Sequence, residues 1–201
     1  MRNRLDEALG FKLEASNLLY ALCDFQTLIK KEILLDNFIE LALKFDAKII
    51  QYRDKVNSSE TQIENLVYLK KKLNIPIIIN DKIELINYAD GLHLGQEDFF
   101  KIHSNKKLAT KLIRKKIGNK LLGISTHNEF EILEANELDI DMIGLGAYKN
   151  TSTKNVPNLL GERISYLAKI SSNPVCAIGG VEINDKIKNV SFNVVGSGLY
   201  N

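Results

Sequence analysis

Short runs of β-branched and other apolar residues alternate along the chain with longer segments whose apolar residues recur every three or four positions. The short runs have the length of buried strands, and the longer segments have the period of amphipathic helices. Strands are predicted at residues 18–23, 48–52, 76–80, 91–94, 121–125, 142–146, 175–178 and 194–196. Helices are predicted at residues 28–45, 59–73, 82–88, 104–117, 128–138, 159–170 and 184–188.

Strands that alternate with helices pair in parallel through right-handed crossovers, in either a closed barrel or an open doubly wound sheet. A dinucleotide-binding sheet would have a glycine-rich turn after its first strand, where this chain has Cys23-Asp24-Phe25-Gln26. The paired glycines come late, as Gly179-Gly180 and Gly196-Ser197-Gly198, in the loops with which many barrels bind phosphate. The predicted fold is therefore a (β/α)8 TIM barrel of the α/β class.

Both ends of the chain depart from the regular alternation of strands and helices. A segment at residues 4–15 predicts an extra helix before the first strand, with an apolar face formed by Leu5, Ala8, Leu9 and Leu13. Too few residues follow the eighth strand for a full helix, so the final helix is predicted to be missing or truncated. We expect the extra helix to cover the barrel wall or bottom, and residues 1–201 to form a single domain.

Composition excludes several kinds of partner. The 27 basic and 25 acidic residues leave a net charge of +2, too small for a nucleic-acid footprint or an attraction to anionic membranes. No apolar run has the length of a membrane span, and the first residues lack an apolar signal core, so a cytoplasmic location is expected. Cys23 and Cys176 are expected to be buried and unpaired. The residues leave open whether the chain forms a homo-oligomer.

A basic cluster ends the second predicted strand. Alternate residues of a strand share one face, so Gln51, Arg53 and Lys55 project into the barrel mouth together. An amide, a planar guanidinium and an ammonium suit a diphosphate. The alternative is an ordinary solvated strand end.

Carboxylates follow the third and fourth strands. Asn80-Asp81 and Asp98 come from neighbouring strand ends and form an oxygen-rich site of the kind that Mg²⁺ prefers. Taken separately, the Asn-Asp pair is typical of an ordinary turn or helix cap.

Hydroxyl groups follow the fifth and sixth strands. Ser125 and the segment Thr151-Ser152-Thr153-Lys154 can donate to phosphate oxygens and balance the charge of a leaving group. His127 is a candidate base or a helix cap, and His93 is predicted to support the core or a neighbouring site residue.

In this order the motifs, with the run Asp90-Gly91-Leu92-His93-Leu94-Gly95-Gln96-Glu97-Asp98, resemble the thiamine phosphate synthase family from about residue 18 to residue 199. The resemblance implies Mg²⁺-dependent coupling of hydroxymethylpyrimidine diphosphate with hydroxyethylthiazole phosphate, which gives thiamine phosphate and diphosphate. It assigns catalysis to Ser125, Lys154 and Arg53 and the metal to Asp81 and Asp98. Gln51, Arg53, Lys55 and Asn80 would bind the pyrimidine diphosphate, and Ser125 and Lys154 would face the pyrimidine and its leaving group. Thr151, Thr153, Gly180 and Ser197 would bind the thiazole phosphate.

Two departures from the family pattern accompany these matches. The segment Gly146-Ala147-Tyr148-Lys149-Asn150 stands where the family usually has a Gly-Pro pair, and Ser197 aligns only with a one-residue gap near Val195. Two other functions stay open. One is a thiazole tautomerase, in which His127 would move a proton, although a tautomerase has no diphosphate or metal to hold. The other is a non-catalytic barrel that binds thiamine intermediates.

Overall fold

Eight parallel strands close into a barrel in the order in which they occur in the chain. The protein is described here by a computed structural model that covers residues 3–150 and 159–200. The strands are β1 Leu18–Asp24, β2 Ile49–Arg53, β3 Ile77–Asn80, β4 Gly91–Leu94, β5 Leu121–Thr126, β6 Met142–Gly146, β7 Val175–Ile178 and β8 Phe192–Val195. Pairing of β8 with β1, in which Leu18 lies opposite Phe192, closes the sheet and confirms the predicted (β/α)8 barrel.

Several of the helices that surround the strands differ from the predicted ones. They are α1 Arg4–Leu9, α2 Phe25–Lys30, α3 Leu35–Lys44, α4 Ser59–Lys72, α5 Gln96–Ile102, α6 Lys106–Ile117, α7 Glu129–Asn136 and α8 Arg163–Lys169. Two 3-10 helices cover Ile83–Tyr88 and Ser197–Tyr200. The second one follows β8, where the sequence predicted a missing or truncated final helix.

The predicted helix at 28–45 was wrong as a single element. Glu32 adopts a left-handed conformation with φ of 55°, and the Ile33 amide donates to the Leu28 carbonyl, which ends α2 before α3 begins. No helix forms at residues 184–188, because the Asp185 carbonyl accepts from the Asn193 side chain at 2.8 Å instead of a helical amide. Helix α5 was not predicted.

Apolar side chains form two layers, one on each side of the sheet. The outer layer lies between the strands and the helices. The inner layer fills the barrel with every second strand residue, a set that includes Tyr20, Leu22, Ile49, Ile78, Leu121, Met142, Cys176, Phe192 and Val194. Both cysteines are buried and unpaired, as predicted.

Helix α1 closes the amino-terminal end of the barrel. It is shorter than predicted, because Gly10 ends it in a left-handed conformation with φ of 76°. Leu5 is fully buried among the inner residues, and Arg4 donates at 2.7 Å to Asp141, which directly precedes β6. The structure therefore places the extra helix at the bottom of the barrel. Within the described residues, no helix has the length and hydropathy needed to span a bilayer.

Candidate active site

Polar side chains gather at the opposite end, where all eight strands finish. The strand positions that carry apolar residues into the lower barrel carry polar residues near the mouth. In β2, for example, Ile49 belongs to the inner layer, and Gln51 and Arg53 follow it on the same face. The buried Gln51 amide donates to the Tyr20 hydroxyl at 3.1 Å, which fixes the amide deep in the mouth.

Two carboxylates face each other above β3 and β4. Asp81 has a φ of 64°, a conformation that aspartate tolerates better than most residues, and its amide donates to the His93 carbonyl at 2.9 Å. Burial and the neighbouring Asp98 raise the pKa of Asp81, while Lys55 Nζ, 3.6 Å from Asp81 Oδ2, acts in the opposite direction. Burial would also raise the pKa of Asp98, but Lys101 and further hydrogen bonds lower it overall. Of the two carboxylates, Asp81 is thus the one whose charged form is less favoured.

This pair fits a magnesium ion. Repulsion between two facing carboxylates is relieved by a divalent cation, and Mg²⁺ is usually held by one or two carboxylates together with water and substrate phosphates. In the part of the chain that the structure describes, no group of three or more His, Cys, Asp or Glu side chains forms a metal site. Asp81 and Asp98 would therefore need oxygen ligands from water or substrate.

Arg53 is held by a carboxylate that sequence reasoning missed. Asp24, the last residue of β1, forms an ion pair with the Arg53 guanidinium and is almost completely buried. Its other oxygen accepts from the Thr27 amide at 3.1 Å and the Thr27 hydroxyl at 2.6 Å, which caps α2. An aspartate directly after a predicted strand is a common helix cap, a signal that could have indicated the cap, but nothing in the sequence indicated the partner in β2.

Ser125 is held from two sides. His93 Nε2 lies 3.0 Å from Ser125 Oγ, and Gln96 Nε2 donates to the Ser125 carbonyl at 2.6 Å. Burial lowers the pKa of His93 to about 4, so its ring is neutral at physiological pH. The predicted supporting role of His93 is thereby given a partner, Ser125, while the contribution of Gln96 was not predicted.

The loops after β6 and β7 pack against each other. Gly180 has a φ of 65°, and a Cβ atom there would lie 2.4 Å from the Asn150 carbonyl oxygen. The Lys149 amide donates to the Gly179 carbonyl at 2.8 Å, and the Lys149 ammonium lies 2.9 Å from Asp185. Lys149 thus shapes the loop. Ser197 begins the 3-10 helix that follows β8.

His127 lies at the amino-terminal end of α7, half exposed. Its backbone amide and its Nδ1 atom each lie 2.9 Å from the same oxygen of Glu131. Asn128 is the cap of α7, and Glu131 of its first turn holds His127, which directly precedes the cap.

A sequence profile described as thiamine monophosphate synthase matches residues 19–196 of the chain. The thiamine-phosphate synthase of Persephonella marina is 37% identical over 186 residues, covering 88% of this chain and 84% of that protein. The chain belongs to the thiamine monophosphate synthase family. The thiamine-phosphate synthase of Ruminiclostridium cellulolyticum is 33% identical over 177 residues, covering 85% of this chain and 79% of its own length.

Solved structures agree on the fold of this family member. Thiamine phosphate pyrophosphorylase from Pyrococcus furiosus superposes with a TM-score of 0.69 at 21% identity, over 90% of this chain and 87% of that one. A geranylgeranylglyceryl phosphate synthase from Thermoplasma acidophilum superposes with a TM-score of 0.63 at 13% identity, over 99% of this chain and 92% of that one. At such identities the likeness concerns the barrel alone.

For this thiamine monophosphate synthase family member, the structure brings several predicted site residues to one mouth. Lys55, Asp81 and Asp98 lie together, and Asn80 donates to Asp81. Arg53 is paired with Asp24, and Gly180 supports the loop after β6. Three predicted residues, Thr151, Thr153 and Lys154, lie outside the described residues.

Proposed function

We propose that the chain couples hydroxymethylpyrimidine diphosphate with hydroxyethylthiazole phosphate in the presence of Mg²⁺ and releases thiamine phosphate and diphosphate. The single observation that carries this proposal is the facing pair Asp81 and Asp98 beside Lys55. A site for a metal-bound diphosphate needs carboxylates that hold the metal and a cationic side chain that binds the phosphate. A site for a monophosphate alone does not need the carboxylates.

The diphosphate would bind above β2 and β3. Arg53 has its guanidinium oriented by Asp24, and Lys55 reaches the same side of the mouth from the loop beyond β2. Gln51 and Asn80 supply amide groups, and Asp81 and Asp98 would hold Mg²⁺. Bound there, Mg²⁺ would neutralise the phosphate charge that increases as the diphosphate departs.

The chemistry requires charge stabilisation rather than a general base. The bond between the pyrimidine methylene carbon and the diphosphate oxygen breaks, and its electron pair leaves with the diphosphate. The thiazole nitrogen then donates its lone pair to the methylene carbon of the pyrimidine cation. Arg53 and Lys154 would stabilise the departing anion, and Ser125 would face the pyrimidine ring. Thr151, Thr153, Gly180 and Ser197 would hold the thiazole phosphate, in the strand 6 to 8 region where barrels commonly bind phosphate.

The decisive assay combines purified protein, both substrates and Mg²⁺ and detects thiamine phosphate. We expect product that disappears when EDTA removes the metal. No product under conditions in which the Persephonella marina enzyme is active would overturn the proposal. Binding without turnover would favour a non-catalytic barrel. Isomerisation of the thiazole, lost in His127→Ala, would favour a tautomerase.

Asp98→Asn tests the metal site. The variant keeps the size of the side chain and removes one of the two charges, so we expect turnover at fixed Mg²⁺ to fall by roughly two orders of magnitude, since a bound cation contributes several kcal/mol. Glu97→Gln, which changes the exposed neighbouring carboxylate, is the matched control and should keep full activity. Equal activity of Asp98→Asn and Glu97→Gln would rule out Asp98 as a metal ligand.

A further inference from the structure

His93 has one ring nitrogen in a hydrogen bond and the other without a partner. Nε2 lies 3.0 Å from Ser125 Oγ. Among the described residues Nδ1 has no hydrogen-bond partner, although the residue is more than nine-tenths buried. The ring faces Gly123 and Gly144 on the inside of the barrel, where a Cβ atom on Gly123 would lie 2.5 Å from Nδ1.

The unpartnered nitrogen decides the tautomer. A neutral imidazole has one N–H donor and one acceptor nitrogen, and the hydrogen bond made by one nitrogen sets the state of the other. A proton on Nδ1 would leave a buried N–H group without an acceptor, whereas a proton on Nε2 leaves only a lone pair unpaired. Buried donors without acceptors are rarer than under-satisfied acceptors. The Nε2–H form is therefore favoured, and it donates to Ser125 Oγ.

This donation determines what Ser125 offers to a ligand. Because Oγ already accepts from His93, the hydroxyl proton of Ser125 is free for a second partner. The Gln96 side chain holds the Ser125 carbonyl at 2.6 Å, so the backbone that carries the hydroxyl is also fixed. Ser125 is partly exposed toward the mouth, which leaves room for that partner.

We propose that His93 is a positioning residue that, as the Nε2–H tautomer, directs the Ser125 hydroxyl proton to an acceptor nitrogen of the bound pyrimidine ring. The identity of the ligand rests on the proposed function; the tautomer does not. Among the described residues, the groups that lie against Ser125 are uncharged, namely the neutral His93 ring, the Gln96 amide and Gly144. The cationic groups Arg53 and Lys55 lie above β2 instead, so this part of the mouth suits an uncharged heterocycle rather than a phosphate.

The first test measures the tautomer without any substrate. The chain has three histidines, so a ¹H–¹⁵N spectrum of protein labelled at histidine nitrogens contains only three rings to assign. His103→Gln and His127→Gln each remove one ring from the spectrum and leave the barrel interior intact. We expect His93 to be protonated at Nε2 and unprotonated at Nδ1. An Nδ1–H form would overturn the proposal, whatever the activity of the protein.

The second test asks whether His93 acts through Ser125. His93→Leu should lower kcat/KM for the pyrimidine diphosphate by about tenfold, the effect of losing one well-placed hydrogen bond, when Ser125 is present. In a Ser125→Ala background the same change should have little further effect. An equal loss in both backgrounds would mean that His93 only supports the fold, and would overturn the proposal.

Two further variants keep the test decisive. His93→Gln carries an amide donor that can reach Oγ and should recover part of the activity that His93→Leu loses. If His93→Leu does not fold, Gly123→Ala takes its place in the comparison with and without Ser125→Ala, because the Cβ atom added at Gly123 displaces the His93 ring. His103→Gln is the histidine control and should match the wild type. Absence of thiamine phosphate from the wild-type protein would defeat the proposed function, whereas the tautomer spectrum would still decide the His93–Ser125 contact.

Discussion

Arg53 shows how a single site residue depends on a partner from another strand. Its guanidinium pairs with the almost fully buried Asp24, which also caps α2 through Thr27. A guanidinium whose fork is already oriented loses less rotamer freedom when it binds a phosphate. The two functions of Asp24, charge and cap, can be separated because asparagine is as good a cap as aspartate.

We predict that Asp24→Asn raises KM for the pyrimidine diphosphate by about tenfold, because the cap remains but Arg53 loses its charged partner. The thermal midpoint should change little. Steady-state kinetics with each substrate varied in turn will measure the effect, and the KM for the thiazole phosphate should stay close to the wild-type value. Asp36→Asn, which changes an exposed carboxylate bonded to Tyr68, is the control. An unchanged KM would mean that Arg53 is oriented by other contacts.

His93 also makes stability depend on pH. Burial lowers its pKa from 6.5 to about 4, so between these values the unfolded chain binds a proton that the folded chain does not. The unfolding free energy therefore decreases as the pH falls through this window. Above the window, His93 does not contribute to the pH dependence of stability.

We predict that wild-type protein loses on the order of 2 kcal/mol more unfolding free energy than His93→Gln between about pH 7.5 and pH 5. Urea unfolding at the two pH values will measure the pH dependence of each protein. The contributions of the other titrating groups cancel when the pH dependence of the wild type is compared with that of His93→Gln. Parallel pH dependence of the two proteins would show that His93 titrates normally in the fold.

At the scale of elements, residues of the short run from Asp90 to Asp98 contact three different parts of the barrel. Asp90, directly before β4, accepts from the Ile77 amide at 3.0 Å. His93 and Gln96 hold Ser125 of β5, and Asp98 of α5 lies beside Asp81. Because neighbouring residues of this run have different partners, each one is constrained separately.

The contact between the loops after β6 and β7 depends on Gly180. We predict that Gly180→Ala raises KM for the thiazole phosphate by about tenfold or more, because the new Cβ would lie 2.4 Å from the Asn150 carbonyl oxygen and must displace the loop that leads to Thr151. Gly10→Ala is the matched control. It has a similar positive φ of 76° but no atom within 4 Å of the added Cβ, and it lies at the bottom of the barrel. A similar KM in both variants would exclude a role for the loop contact.

At the scale of the whole molecule, the barrel has a polar mouth at one end, and α1 closes the other end. Arg4 of α1 and Arg114 of α6 each donate at 2.7 Å to a different oxygen of Asp141, which also accepts from the Leu122 amide at 2.8 Å. This network joins α1 to the lower rim of β5 and β6. Leu5 then fills the space between the lower inner residues.

We predict that Leu5→Ala lowers the unfolding free energy by roughly 2 to 5 kcal/mol, the cost of a cavity at a fully buried leucine. Urea unfolding will measure it. Leu112→Ala, at a leucine that is 51% exposed on α6, is the control and should cost much less. Equal effects would mean that α1 detaches easily, and deletion of residues 1–15 should then leave the thermal midpoint unchanged.

The sequence alone was enough to identify the eight strands, the barrel and the family, because these depend on local pattern. Hydrophobic period separates strands from helices, and alternation places Gln51 and Arg53 on one face. Local pattern was insufficient where backbone conformation overrides it. The left-handed Glu32 divides the predicted helix at 28–45, and the hydrogen bond from Asn193 to the Asp185 carbonyl replaces the predicted helix at 184–188.

Only the tertiary structure decided which distant residues act together. Asp24 meets Arg53, and His93 meets Ser125, although the members of each pair come from different strands, and only the pairing and stagger of the strands determine which side chains meet. The same holds for α1, whose Arg4 finds Asp141 across 137 positions of the chain. A periodic pattern specifies which face of an element is buried, but it carries no information about the element that covers that face.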